Sequence, residues 1–201
     1  MGSEMCIRDR DWVGQVEQQL VDAELFFGHG TDSAFDEAAW LVMSAAGIDP
    51  SAERVDWQQV LDDAQQSAVK QLAERRIETR KPLAYLVKQA WFAGHEFYID
   101  ERAIIPRSHL GEWIPGRFEP WLGRAPVNAV LDLCTGSGCI AVAVALAFPE
   151  AEVDAADIST AALEVAAINI EQHALGQRIR LLQGDLFDAI AESARYDLII
   201  C

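Results

Sequence analysis

The residues best placed to do chemistry fall within ten positions, Asp132-Leu-Cys-Thr-Gly136-Ser-Gly138-Cys-Ile-Ala141. They form a G-x-G-x-x-A turn between two apolar stretches, Val130–Cys134 and Cys139–Phe148. In such a turn Gly136 admits the tight bend, and Gly138 lacks the side chain that would keep a ligand away from the backbone. Alone, the pattern serves either the pyrophosphate of a dinucleotide or S-adenosyl-L-methionine. Asp132, four positions before Gly136, separates the two. A carboxylate there crowds a pyrophosphate with like charge, but attracts the α-ammonium group of a methionine moiety. S-adenosyl-L-methionine is therefore the expected cofactor, with a dinucleotide as the alternative.

Two further acids follow at the ends of the next apolar runs. Asp157 stands 21 positions after Gly136, where an acid accepts hydrogen bonds from both ribose hydroxyls. Its competing role is that of a turn or capping residue before the next helix, which Ser159 can also fill. Asp185, in Gly184-Asp-Leu-Phe187, is placed to accept from an adenine amino group, with Leu186 and Phe187 as walls, unless the segment is a plain surface turn. Thr135, Ser137 and Ile158 complete the expected cofactor set. No metal site is expected. The cysteines Cys6, Cys134, Cys139 and Cys201 contain no Cys-x-x-Cys pair, and the four histidines show no ligand spacing. Cys134 and Cys139 read as small buried thiols.

These residues need a scaffold. From Ala129 onward, strand and helix alternate: strands at Val130–Cys134, Glu152–Ala156, Ile179–Gln183 and Tyr196–Cys201, and helices at Cys139–Phe148 and Thr160–His173. Near-continuous apolar strands joined by helices predict a parallel sheet covered on both faces, with ligands at the carboxyl ends of its strands. The fold class is α/β, Rossmann-like, preceded by a small helical domain and a β-hairpin linker. Helical spacing of apolar residues predicts three helices before Pro82, the second capped by Ser33 and the third starting near Asp56. Residues 83–124 read as a hairpin around Gly94-His95 and a bridging helix capped by Ser108. The aromatics Trp91, Phe92, Phe97 and Tyr98 either pack there or line a substrate cleft, for which Phe92 is the candidate. The expected domains are thus 11–82, 83–124 and 125–201. Residues 1–10, with an irregular Gly-Ser start, read as a tag or assembly artefact and are set aside. Trp12, Trp40, Trp57, Trp113 and Trp121 are expected in packing.

The chain has 201 residues, half of them apolar, with 16 basic against 32 acidic side chains and a formal charge of −16. That composition supports a folded core and speaks against direct nucleic-acid binding, which relies on Lys and Arg at phosphates. A negative surface favours solubility and steers basic protein partners. No apolar run reaches the roughly 18 residues of a membrane span. Free cysteines without a secretory signal predict a cytoplasmic location.

Several segments together resemble one family. They are Val130-Leu-Asp-Leu-Cys-Thr-Gly-Ser-Gly-Cys-Ile-Ala141, Arg80-Lys-Pro-Leu-Ala-Tyr85, Trp91-Phe-Ala-Gly94, Phe97-Tyr98 and Ile105-Pro-Arg-Ser108. This set looks like the protein-glutamine N5-methyltransferases. The Cys-Thr-Gly-Ser-Gly-Cys loop is closest to the type that modifies a glutamine of a large-subunit ribosomal protein. A sister type modifies peptide-chain release factors and usually has Gly and Ala where Cys134 and Cys139 stand; it is the alternative, and a non-catalytic cofactor-binding module is another. The resemblance implies S-adenosyl-L-methionine as cofactor, a basic ribosomal protein as partner, and Arg107 near the mouth of the site. An ion pair of Arg107 with a residue such as Glu112 is the competing role. The family's catalytic Asn-Pro-Pro-Tyr would follow Cys201, so no catalytic residue is expected within this sequence and the chain alone is expected to be inactive.

Overall fold

The computed structural model describes residues 9–28, 30–48, 60–123 and 125–201, and these divide into two compact units that meet in the chain at Val87 and Lys88. The first unit holds helices α1 (Asp9–Asp22), α2 (Ala34–Ala46), α3 (Asp63–Thr79) and α4 (Leu83–Val87). Asp9 and Arg10, set aside from sequence, open α1. Trp12, Val16 and Leu20 of α1, Leu41 and Val42 of α2, and Val69 and Ala73 of α3 are buried, the stripe that helical spacing requires. Ser33 caps α2 as expected, its hydroxyl accepting from the Asp36 N–H at 3.1 Å. The third helix starts at Asp63 rather than near Asp56, because Asp62 and Gln65 form a reciprocal capping box that fixes the first turn. The part of that expected helix at 56–59, with Trp57, lies outside the described residues. Within this core Glu37 and Arg76 form a buried ion pair at 2.6 Å.

The segment 83–124, expected as a separate bridge, divides instead. Leu83, Ala84 and Leu86 of α4 are buried against α2 and α3, so the first unit runs to Val87. The hairpin β1 (Ala90–Phe92) and β2 (His95–Phe97), and the short α5 (Leu110–Trp113), belong to the second unit. There Phe92, Phe97 and Ile114 share one core with Val130, Val142 and Val153. Trp113 and Trp121, expected in packing, are exposed and lie edge to face at 4.4 Å.

The rest of the second unit runs β3 (Ala129–Leu133), α6 (Cys139–Ala147), β4 (Glu152–Asp157), α7 (Thr160–Gln172), β5 (Ile179–Gln183) and β6 (Leu198–Ile200). All four strands pair in parallel in the order β5-β4-β3-β6. The chain steps outward from β3 to β5 and then returns to the other side of β3, which makes β3 the switch point at whose carboxyl end ligands bind in such sheets. Residues of α6 and α7 pack with Val130, Val153, Ala155 and Ile179. On the other side Leu131, Leu133 and Ala156 pack with Leu182, Ile190 and Tyr196, with no helical residue among them. Among the described residues, helices of this unit cover one face and the segment 184–197 packs on the other. The architecture is the expected Rossmann-like α/β fold. Among the described residues no helix is long and apolar enough to cross a membrane.

Candidate functional site

The carboxyl ends of β3, β4 and β5 bring Asp132, Asp157 and Asp185 to the same end of the sheet. Asp132 is the fourth residue of β3 and is 1% exposed. Its Oδ2 accepts from the Thr135 hydroxyl at 2.6 Å, and its Oδ1 has no protein partner. Burial pushes the carboxyl up to about 7, against the opposing pull of the Thr135 hydroxyl. A buried carboxylate oxygen left without a donor is costly, and a cationic or N–H donor completes it. The residues therefore fit a cofactor that carries an ammonium group.

Past β3 the chain turns sharply. Cys134 sits in the left-handed region with φ 57° and is exposed, not buried as expected. The strand end puts its side chain on the rim, whereas Cys139, the first residue of α6, is buried and its thiol is pushed up to about 12 by desolvation. The Thr135 N–H extends the ladder to Ala156 O at 3.0 Å, and the Gly136 N–H donates to Asp157 Oδ2 at 2.9 Å. Thr135 and Ser137 are buried beneath the turn.

Gly136 makes the tight bend expected of it, while Gly138 is needed for packing as well. A Cβ on Gly138 would lie 2.9 Å from the Ala166 Cβ and 3.2 Å from its Cα, so this glycine serves the close approach of α7. A Cβ on Gly136 would meet only Cys134 O, at 3.9 Å. The open side of the turn is therefore at Gly136, whose φ of 56° also requires a residue tolerant of the left-handed region.

Asp157 closes β4 half-buried. Its Oδ1 accepts from the Ser159 N–H at 2.9 Å, while Ser159 itself caps α7 by accepting from the Ala162 N–H at 3.2 Å. The turn role weighed for Asp157 is thus filled, and acceptor capacity remains, since each carboxylate oxygen has a second lone pair. Beside it Ile158 is 66% exposed, and Leu186 and Phe187 also stand in solvent. Asp185 is exposed and opens a turn closed by the Asp188 N–H on Asp185 O at 2.9 Å. The Gly184 N–H donates to Asp157 O at 3.1 Å and joins the two strand ends. The result is an open shelf, apolar at Ile158, Leu186 and Phe187 and acidic at Asp157 and Asp185.

Of the two substrate-cleft candidates, Phe92 is turned into the core and Arg107 is exposed. Phe92 is 6% exposed in the core, with its ring 3.0 Å from where a Cβ on Gly111 would stand. Alternation along β1 turns it inward and leaves Trp91 on the outside. Arg107 is exposed on the chain before α5, and Glu112 lies 3.7 Å from His109 Nδ1.

Two residues that sequence motifs missed hold the site together. Asn169, in the middle of α7, is wholly buried: its Nδ2 donates to Ser137 O at 2.8 Å and to Tyr98 O at 3.0 Å, and its Oδ1 accepts from the Tyr98 N–H at 2.7 Å. Its signal was an Asn on the apolar stripe Ala162, Val165, Ala166, Ile170 of α7. Gly184 is the second, since a Cβ there would lie 2.7 Å from the Ala189 Cβ.

Comparison with known proteins follows this division. Residues 15–87 match the model of the PrmC N-terminal domain, and residues 121–201 match that of the methyltransferase small domain. Over 194 residues the chain is 42% identical to a ribosomal protein uL3 glutamine methyltransferase of Bordetella pertussis, covering 96% of this chain and 64% of the relative. It is 43% identical to a protein of the same description from Burkholderia pseudomallei, covering 95% and 64%, and 45% identical to one from Neisseria meningitidis, covering 95% and 63%. The chain thus spans a little under two thirds of the length of these relatives.

Proposed function

We propose that this chain is the cofactor-holding part of an S-adenosyl-L-methionine-dependent methyltransferase that acts on a glutamine side chain of ribosomal protein uL3. The substrate assignment is carried by 42–45% identity to uL3 glutamine methyltransferases along nearly the whole chain. The cofactor assignment is carried by the joined pair of Gly136 and Asp157 at the switch point of the sheet.

In this reading Asp157 takes the ribose hydroxyls and Asp132 balances the ammonium group. The open backbone at Gly136 receives the methionine portion, with Thr135, Ser137 and Gly138 fixing the turn from below. Ile158 and Leu186 flank the adenine, and Asp185 accepts from its amino group. When bound, the cofactor supplies a sulfonium-activated methyl group to the amide nitrogen. The residues of this chain contribute orientation, which is a large part of what catalysis of such a transfer needs. The formal charge of −16 supports a basic protein partner rather than nucleic acid, and a cytoplasmic place of action follows from a ribosomal substrate.

The test is a chimera in which the C-terminal remainder of the Bordetella pertussis relative is joined after Cys201. It is incubated with methyl-labelled cofactor and either uL3 or a release factor. Label in a glutamine of uL3 is expected. Label confined to the release factor would overturn the substrate assignment.

A further inference from the structure

The carboxamide of Asn169 spends both its donors, and bonds its oxygen, on backbone. Both hydrogens of Nδ2 are used, on Ser137 O and Tyr98 O, and Oδ1 takes the Tyr98 N–H. Towards Tyr98 the side chain acts as a strand partner would, bonding N–H and C=O of one residue. Towards the loop it grips the carbonyl between the two glycines. A polar side chain with no exposure is costly unless its bonds are made, and an apolar residue of similar size would serve the core alone. Only an amide of this length offers two donors and an acceptor at that reach.

The consequences run in both directions. With Ser137 O held on the helix, the rigid Ser137–Gly138 peptide cannot turn over, although Gly138 in the left-handed region would otherwise permit it. On the other side, α7 and its cap residue meet β2 and the chain leaving it at further points. His173 Nε2 lies 2.9 Å from Glu96 O, and Arg102 Nη1 donates to Glu164 at 2.7 Å while its guanidinium also binds Asp100. Asn169 is the one of these contacts that also reaches the loop.

We propose that Asn169 is a positioning residue that locks the Ser137 peptide and ties it to the chain at Tyr98, so that the loop at 135–138 and the segment at 96–100 order together. The assignment of that loop to the cofactor rests on the function proposed above; the mechanical link does not.

The experiment compares three forms of the whole chain: the parent, Asn169→Leu, which keeps the volume and removes every bond, and Val165→Ala, which weakens the buried face of α7 without touching the loop. Hydrogen exchange by mass spectrometry is read at 134–139 and 96–100, together with Tm and affinity for S-adenosyl-L-methionine. Asn169→Leu is expected to speed exchange in both segments by at least about tenfold, the size of one lost hydrogen bond, and to weaken cofactor binding by a similar factor. Val165→Ala is expected to lower Tm and leave both segments as in the parent. Should Asn169→Leu fail to fold, Asn169→Ala takes its place in the same comparison. Unchanged exchange in the Asn169 variant, or an equal rise in both variants, overturns the proposal. If the parent binds cofactor and the Asn169 variant binds it equally, the positioning role fails while the cofactor assignment stands. If the parent binds none, the cofactor assignment fails and exchange alone decides the link.

Discussion

The Gly136 N–H donates to Asp157 Oδ2 at 2.9 Å, which joins the open corner of the turn after β3 to the acid that ends β4. Because the Ser159 N–H occupies the other oxygen at 2.9 Å, the carboxylate is held in one orientation before any ligand arrives. A ligand meeting such a pair finds its acceptor already ordered, and no side-chain entropy remains to be lost.

Asp157→Ala should therefore cost more than the ribose contacts alone, since the Gly136 turn loses its tether. The expected loss is on the order of 2–4 kcal/mol of cofactor binding, measured by calorimetry. Asp157→Asn keeps one acceptor and should lose less. Equal affinity in Asp157→Ala and the parent contradicts the ribose role.

The glycines make opposite predictions. Gly138→Ala drives a Cβ into Ala166 at 2.9 Å and adds left-handed strain, so stability should fall by about 2–4 kcal/mol in denaturant unfolding. Combined with Ala166→Gly, it should show a coupling energy of about 1–3 kcal/mol. Gly136→Ala should cost only the backbone strain, about 1–2 kcal/mol, while obstructing the open side of the turn. Equal stability losses at the two positions would contradict this division.

Asp132 sets a pH dependence. Burial raises its carboxyl from the ordinary 3.8 to about 7. Below 3.8 the group is protonated whether or not the chain is folded. Between the two values the unfolded chain ionises first, so stability falls as pH rises from about 4 to about 7 and is then level. Asp132→Asn should flatten that slope in thermal unfolding. A ligand ammonium favours the ionised form, so cofactor affinity should rise with pH through about 7 in the parent and not in Asp132→Asn. A slope unchanged by the substitution would contradict the assignment.

In the first unit Glu37→Ala leaves Arg76 buried and uncompensated, and Arg76 Nη1 already lacks a partner. The expected loss is about 3–5 kcal/mol, read as a fall in Tm, with Glu37→Gln intermediate. A change within about 0.5 kcal/mol would mean that the pair carries no structural weight.

What the sequence made legible was whatever rests on local pattern. The loop at 132–141, the acid at 157, the parallel strands and the caps of α2 and α7 follow from apolar runs and short-range bonding, and each was readable. Contacts distant in sequence were not. Asn169 meets Ser137 across 32 positions and Tyr98 across 71, and no motif encodes that. Ala166 gives Gly138 a packing role against α7, a contact that the loop pattern does not encode. Alternation decided Phe92, because the residue of β1 that faces solvent is Trp91. Cys134 is exposed because its left-handed backbone takes it out of the strand pattern. The start of α3 is hidden in the sequence because the apolar residues Val60 and Leu61 precede the cap at Asp62.

The central claim is that the turn at Asp132–Gly138 and the acid at Asp157 hold S-adenosyl-L-methionine. Calorimetry of the whole chain with that cofactor, and separately with NAD, tests it most directly. The account predicts saturable one-to-one binding of S-adenosyl-L-methionine, weakened in Asp157→Ala, and no measurable uptake of NAD. Absence of S-adenosyl-L-methionine binding, or tighter binding of NAD, would contradict it.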